Sequence, residues 1–327
     1  MEKQKNLFDF AKKELSQDAF LRWLFENYNC DEECVRAAAV DLLDKLGIDT
    51  HNINKIETFS QRNHIDITVY VHSDDTLQAL YIEDKTMSSE HNQLKNYNNS
   101  IKKQIPRFGI KKVKKVYYKT YILNDDERDR VDDAGWTIIK FDDIAKFWNK
   151  YLDSSNLILR SYAEHIKSIE RDLCNTERCI ENNVIAWKSY FEKVLIPEAK
   201  KIANCSCGAD FTRFGYSYMW IRPEGYREGY PYLEIRSRDC ADNAFAARIL
   251  TYSLNEKKYP NIRQAIVDTI DTNGKTGVFK PNKGQKKDKQ KGVTRKKYEY
   301  LTDDEYIKVF RAVVKEYLDI MNKADPK

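Results

Sequence analysis

At 327 residues, with 41% hydrophobic, 12% aromatic and 33% charged residues, the chain has apolar material for a core and too much charge for a membrane protein, and its length favours two domains. No run approaches the roughly 18 consecutive apolar residues of a membrane span, and Met1-Glu2-Lys3-Gln4-Lys5-Asn6 leads into an amphipathic segment without a signal-peptide apolar block, so a cytoplasmic protein with no membrane partner is expected. The formal net charge of +5 is unevenly spread: Lys95 to Lys119 holds nine Lys or Arg and no acid, and Lys275 to Lys297 holds ten with one acid, Asp288. Such concentration suits a polyanionic partner.

Residues 7–28 place Phe8, Ala11, Leu15, Ala19 and Trp23 at spacings of three or four, the period of an amphipathic helix. A second helix is predicted over 31–46, ending at Gly47 as a C-cap. The period then changes to two. Ile65, Ile67, Val69 and Val71 alternate with Asp66, Thr68 and Tyr70, Ser73-Asp74-Asp75 supplies a turn, and Leu77 to Asp84 forms a second run, which together read as a β-hairpin. Ser88-Ser89-Glu90 opens a helix expected to run to Gln104, stopped by Pro106 and Gly109. Val113 to Leu123 and Trp136 to Phe141 are expected strands. From Asp142 to Ala203 the pattern is helical, with Trp148, Tyr151, Leu152, Trp187, Tyr190, Phe191, Val194 and Leu195 as candidate core.

Farther on, Phe211 to Ile221 and Tyr230 to Arg236 read as an antiparallel pair around Pro223-Glu224-Gly225. Tyr216, Tyr218 and Trp220 there suggest either a base-stacking surface or core. The segment 272–297, rich in Lys, Gly and Gln, reads as a mobile loop or arm. Its Gly274-Lys275-Thr276 is not a P-loop, because the first glycine of that motif would fall at Thr269. A helix over 303–321 closes the chain. The seven cysteines are odd in number and scattered, without a C-x-x-C pair, which fits reduced thiols and no cysteine-held metal.

The chemistry-bearing residues lie on the hairpin. Hydrolysing a phosphodiester calls for a divalent metal to offset charge on the phosphate and to generate hydroxide from water. In an antiparallel pair Asp66 and Glu83 can project from one face toward a shared Mg²⁺ or Mn²⁺, hard cations that prefer oxygen. Side chains repeat every second residue, so Lys85 shares the face of Glu83, where its ammonium can hold the attacking water or stabilise the transition state. Asp84 points away, leaving its backbone carbonyl as a possible ligand. A carboxylate within an apolar strand is costly unless a cation or hydrogen bonds compensate it.

Asp66, then Glu83-Asp84-Lys85, resembles the PD-(D/E)XK nuclease superfamily, and Gln93-Leu94-Lys95-Asn96-Tyr97 resembles the Q-x-x-x-Y motif of its RecB-like branch. Residues 7–24 resemble the opening helix of a bacterial group within it. Asn63-His64-Ile65 departs from the RecB-like pattern, where a glycine is common. The resemblance covers residues 1–145 and implies an α/β fold with a restriction-endonuclease-like αβββαβ core. It also implies that Glu14 completes the metal site, although Asp18 lies one turn away on a similar face, and that Gln93 contacts the substrate backbone or the metal-bound water.

The expected organisation is a nuclease domain, 1–154, followed by an α+β region, 155–327, that binds substrate or a partner. The expected activity is Mg²⁺- or Mn²⁺-dependent hydrolysis of DNA, with a place in phage defence or restriction. Tyr97, Lys102, Lys103, Lys111, Lys112, Lys286 and Lys287 are the expected nucleic-acid contacts, basic side chains giving affinity without sequence readout; for Tyr97 the alternative is packing of its helix on the sheet. The competing expectation is a catalytically silent protein of the same fold that binds nucleic acid or acts through a protein partner or as a homo-oligomer.

Overall fold

The computed structural model describes residues 8, 13–74, 76–86, 93–123, 125–178, 183–212, 216–225, 230–240, 245–252, 262–272, 290–298 and 301–325. The chain divides into two compact units, Met1–Arg171 and Asp172–Lys327.

The first unit runs α1 (Lys13–Glu26), α2 (Glu33–Lys45), β1 (Ile53–Arg62), β2 (Ile65–Ser73), β3 (Thr76–Lys85), α3 (Gln93–Phe108), β4 (Lys112–Lys119), α4 (Asp125–Asp133), β5 (Thr137–Ile139) and α5 (Phe141–Trp148), and α6 (Leu157–Leu173) carries the chain across the boundary. Its sheet has the order β1-β2-β3-β4-β5. Two tight turns make β1, β2 and β3 antiparallel neighbours, whereas β4 and β5 pair in parallel after helical crossovers. The result is a mixed α/β sheet in the expected αβββαβ order.

Helices cover both faces, which explains why Gln78 to Lys85 on β3 are buried without alternation. On one face Tyr70, Tyr81 and Tyr117 pack against Leu94, Tyr97 and Ile101 of α3, Val131 of α4 and Ala134 just after it. On the other, Phe20 of α1 stacks on Tyr162 of α6 at 3.9 Å and meets Trp148 of α5 edge-on at 5.2 Å. The Trp148 indole donates to Tyr118 Oη at 2.9 Å, tying α5 to β4.

The second unit contains α7 (Val184–Tyr190), a wider helical turn over 191–195, α8 (Ile196–Ile202), β6 (Cys205–Phe211), β7 (Ser217–Pro223), β8 (Tyr232–Arg236), β9 (Phe245–Tyr252), α9 (Ile262–Thr272), β10 (Gln290–Tyr298) and α10 (Asp303–Ala324). The strands form one antiparallel sheet, β10-β9-β8-β7-β6. Met219, Ile221, Leu233, Ile235 and Ile249 pack with Trp187, Phe191, Phe310 and Tyr317. Thr302 and Glu305 close a capping box at the start of α10. On β6, Gly208 sits opposite Trp220, and a Cβ there would come within 3.0 Å of the indole. Gly208→Ala is therefore expected to displace Trp220 and cost about 1 kcal/mol in a urea melt; an unchanged midpoint would show that the ring yields freely.

Several expectations need adjustment. The start of the third helix at Ser88 lies outside the described residues, and the helix continues through Pro106 to Phe108 before Gly109 turns left-handed at φ +68°. Leu94, Tyr97, Ile101 and Gln104 anchor its inner face, and this packing outweighs the backbone hydrogen bond that Pro106 cannot donate. The run 211–221 is the end of one strand and most of the next, joined where Thr212 N donates to Tyr216 O at 2.9 Å. In the segment 272–297, residues 273–289 lie outside the described part, but 290–298 form β10 rather than a loop. Its backbone is satisfied by pairing along β9, which does not require apolar side chains. No helix among the described residues is long and apolar enough to cross a membrane.

Candidate active site

The register of β2 on β3 places Ile67 opposite Ile82 and Thr68 opposite Tyr81. Continuing it by one pair sets Asp66 against Glu83 on the face covered by α3 and α4. Lys85, two residues on, reaches back so that Nζ lies 2.6 Å from Glu83 Oε1 and 3.8 Å from Asp66 Oδ2. Asp66 is held from two further sides: Asp84 N donates to its Oδ2 at 2.9 Å, and Gln61 Nε2 donates to its Oδ1 at 2.9 Å.

The Glu83 side chain is 1% exposed. Burial pushes its pKa up to about 8, the neighbouring Asp66 charge pushes the same way, and Lys85 opposes both. Glu83 Oε2 is buried and has no hydrogen-bond partner among the described residues. Two carboxylates sharing one ammonium, with one oxygen orphaned, form a donor set that a hard divalent cation fits. Among the described residues no three acidic, histidine or cysteine side chains gather at one point. For such a cation Asp66 and Glu83 would be two side-chain donors, and coordination beyond them would come from backbone, water or Glu14. Glu14 belongs to the first turn of α1, but its side chain lies outside the described part.

The Asp84 carboxyl occupies the opposite face of the sheet. There it accepts from Gln17 Nε2 and lies beside Asp18, both on α1. Tyr162 Oη donates to Gln17 Oε1 at 2.9 Å. Burial, then the charges of Asp18 and Asp66, hold the Asp84 carboxyl well above the usual carboxylate range. Only the backbone of Asp84 belongs to the Glu83–Lys85 face.

A second charged group adjoins the site. The parallel register sets Tyr117 beside Glu83 and Lys119 beside Lys85. Both turn to Glu127 of α4, whose Oε1 accepts from Tyr117 Oη at 2.5 Å and lies 3.1 Å from Lys119 Nζ. Lys119 and Glu127 are each 1% exposed. Neither they nor Gln61 stood out in the sequence. Their signal is cross-strand register, visible only once β1 and the parallel pairing of β4 are known.

The other expected contacts are dispersed. Gln93 is exposed at the first residue of α3, and Lys102 and Lys103 are exposed on that helix. Tyr97 is buried, its ring 6.3 Å from Trp136, and packs α3 against the core. Lys111 and Lys112 are exposed, with Lys112 Nζ 3.1 Å from Asp49. Because Lys112 pairs with Gln78 while Lys119 pairs with Lys85, these two lysines lie at the far end of the sheet, roughly 23 Å from the site at about 3.3 Å per residue. Lys286 and Lys287 lie outside the described residues. Tyr216, just before β7, is buried; on β7 Met219 is buried, whereas Tyr218 and Trp220 are half-buried on the alternate face, with the Arg222 guanidinium 5.3 Å from the Trp220 ring.

No curated protein and no solved structure matches the chain. A family profile described as the PD-(D/E)XK nuclease superfamily matches residues 5–175, a span that contains Asp66, Glu83, Lys85 and every strand of the first sheet. That match takes in more than half of the 327 residues, and the protein belongs to the PD-(D/E)XK nuclease superfamily.

Proposed function

We propose that the protein is a divalent-metal-dependent nuclease acting on DNA, with Asp66 and Glu83 as metal ligands and Lys85 beside the attacking water. The observation that carries this reading is the Lys85 ammonium lying between the two carboxylates, 2.6 Å from Glu83 and 3.8 Å from Asp66, while Glu83 keeps one buried oxygen without a hydrogen-bond partner among the described residues. A bound Mg²⁺ or Mn²⁺ supplies a Lewis acid for the phosphate and eases deprotonation of water near neutral pH. Lys85 then stabilises charge on the phosphoryl oxygens as the water adds, OH going to phosphorus and H to the leaving oxygen. Asp84 N holds Asp66 through its Oδ2. Glu14 as a third acid and Gln93 as a backbone contact rest on the family motifs.

Lys102 and Lys103 on α3 are suited to phosphates through charge alone. The distance of Lys111 and Lys112 from the site suits them to DNA extending along the sheet rather than to the scissile bond. In the second unit, half-buried Tyr218 and Trp220 support a substrate-binding role. A place in phage defence or restriction rests on superfamily membership alone.

The test is cleavage of supercoiled plasmid, linear duplex and single-stranded RNA in Mg²⁺ or Mn²⁺, with and without chelator, by wild type and Glu83→Ala. Metal-dependent DNA cutting that chelation and the substitution both abolish is expected. Cutting of RNA alone would overturn the substrate assignment, and cutting that survives Glu83→Ala would overturn the site.

A further inference from the structure

We propose that Gln61 is a positioning residue of the active site, and that the left-handed backbone at this residue serves to aim its amide at Asp66. The proposal rests on the reading of Asp66 as a metal ligand.

Gln61, Asn63 and His64 have φ of +53°, +55° and +68°, so three of four consecutive residues adopt a conformation that favours glycine, with no glycine among them. For Asn63 and His64 the hairpin itself is the reason. They are the two central residues between the paired Arg62 and Ile65, and tight two-residue hairpins with positive φ at both centres match the twist of the strands. Gln61 lies outside those two central positions. It is a strand residue between the pairs Ser60–Ile67 and Arg62–Ile65, and ordinary strand geometry would serve the ladder there. A side-chain-bearing residue in the left-handed region costs roughly 1–2 kcal/mol. Such strain persists where the surroundings over-determine it, and it collects at functional sites.

Gln61 is itself exposed, and what holds it is its own turn and its neighbours. Its carbonyl accepts from His64 N at 3.3 Å. The next residue, Arg62, is clamped by three rings, with its guanidinium 4.4 Å from the centre of Phe59, 5.0 Å from Phe108 and 5.4 Å from Tyr70. The strand end is thereby fixed to the face that carries Asp66 and Glu83. Gln61 sits across from Asp66, and its Nε2 donates to Oδ1 at 2.9 Å. Only this orientation of the amide can bond a carboxylate.

The two Asp66 oxygens therefore have separate tasks. Oδ2 takes Asp84 N and faces Lys85, whereas Oδ1 has Gln61. Without the amide, the carboxylate keeps one short hydrogen bond and a 3.8 Å ion pair, and its terminal torsion is broad. Partners that orient a ligand in this way commonly account for 10–100-fold in metal affinity or activity.

The test uses the full chain with Gln61→Met, which keeps length and removes the donor, and Gln61→Gly, which removes the donor and relieves the backbone. Mn²⁺ binding is measured by calorimetry without substrate, alongside thermal melting and cleavage kinetics, with Asp66→Asn as control. Both Gln61 variants are expected to bind Mn²⁺ about tenfold more weakly and to lose kcat with little change in KM, and Gln61→Gly is expected to melt at or above the wild-type temperature. A turn that matters only for folding would leave the glycine variant at least as stable and fully active. Wild-type Mn²⁺ affinity and kcat in both variants, with binding lost in Asp66→Asn, would overturn the role of Gln61 and leave the nuclease site standing. Wild-type Mn²⁺ affinity in Asp66→Asn would overturn that site and this proposal together. Should Gln61→Met fail to fold, the glycine variant decides alone.

Discussion

Lys85→Met is expected to slow phosphodiester cleavage by roughly 10²- to 10³-fold, the loss typical of removing one preorganised group from a developing charge, without weakening Mn²⁺ binding. The two effects separate because the ammonium does two things. In the protein alone it is the cation that Glu83 and Asp66 share, at 2.6 and 3.8 Å, and at such distances each contact is an attraction of roughly 4–6 kcal/mol at an effective dielectric of 20. A divalent ion entering between the same carboxylates meets Lys85 as a like charge. Removing the lysine relieves that repulsion, while the reaction loses the group that opposes negative charge on the phosphoryl oxygens. Methionine keeps the aliphatic bulk of the stem. Single-turnover cleavage and Mn²⁺ calorimetry on one preparation check the split. Loss of Mn²⁺ binding as complete as in Glu83→Gln would make Lys85 an organiser of the carboxylates, and cleavage at the wild-type rate would remove it from the chemistry.

The β2–β3 hairpin was legible because local signals agree there: Ile65, Ile67, Val69 and Val71 alternate, Asp74 and Asp75 turn, and parity alone puts Glu83 and Lys85 on one face. β1 was not legible, since in INKIETFSQR only Ile56 and Thr58 are buried, too sparse a pattern for a period. With β1 unseen, Gln61 could not be set beside Asp66. Lys119 was hidden for another reason. A strand that pairs in parallel across a helical crossover takes its register from tertiary packing, so nothing local puts Lys119 next to Lys85. The environment of the Asp84 carboxyl, with Gln17 and Asp18 nearby, depends likewise on how α1 docks. β10 was missed because its lysines and glycine are poor strand formers, and backbone pairing with β9 prevails over that preference.

Glu127→Ala is expected to destabilise the first unit by about 3–5 kcal/mol, the usual consequence of removing one member of a buried ion pair. Lys119 is 1% exposed and 3.1 Å from Glu127 Oε1, the same oxygen that accepts from the buried Tyr117 hydroxyl at 2.5 Å. At about 2–4 °C per kcal/mol for a unit of this size, the melting temperature should fall by roughly 10 °C. The two interactions can be told apart by substitution. Glu127→Gln keeps an acceptor for Tyr117 and withdraws only the charge, so most of the loss should already be present in that variant. Adding Lys119→Met then removes the ammonium as well, and the double variant should regain most of the stability, because neutral replacements of a buried ion pair are often as stable as the pair. A double variant as unstable as Glu127→Gln would mean that Lys119 contributes through the packing of its stem rather than through its charge. Stability regained in the double variant would mean that fold stability does not by itself account for the Lys119–Glu127 pair, whose Lys119 lies beside Lys85 in register, and cleavage by the double variant reads directly whether the pair's field reaches the reaction.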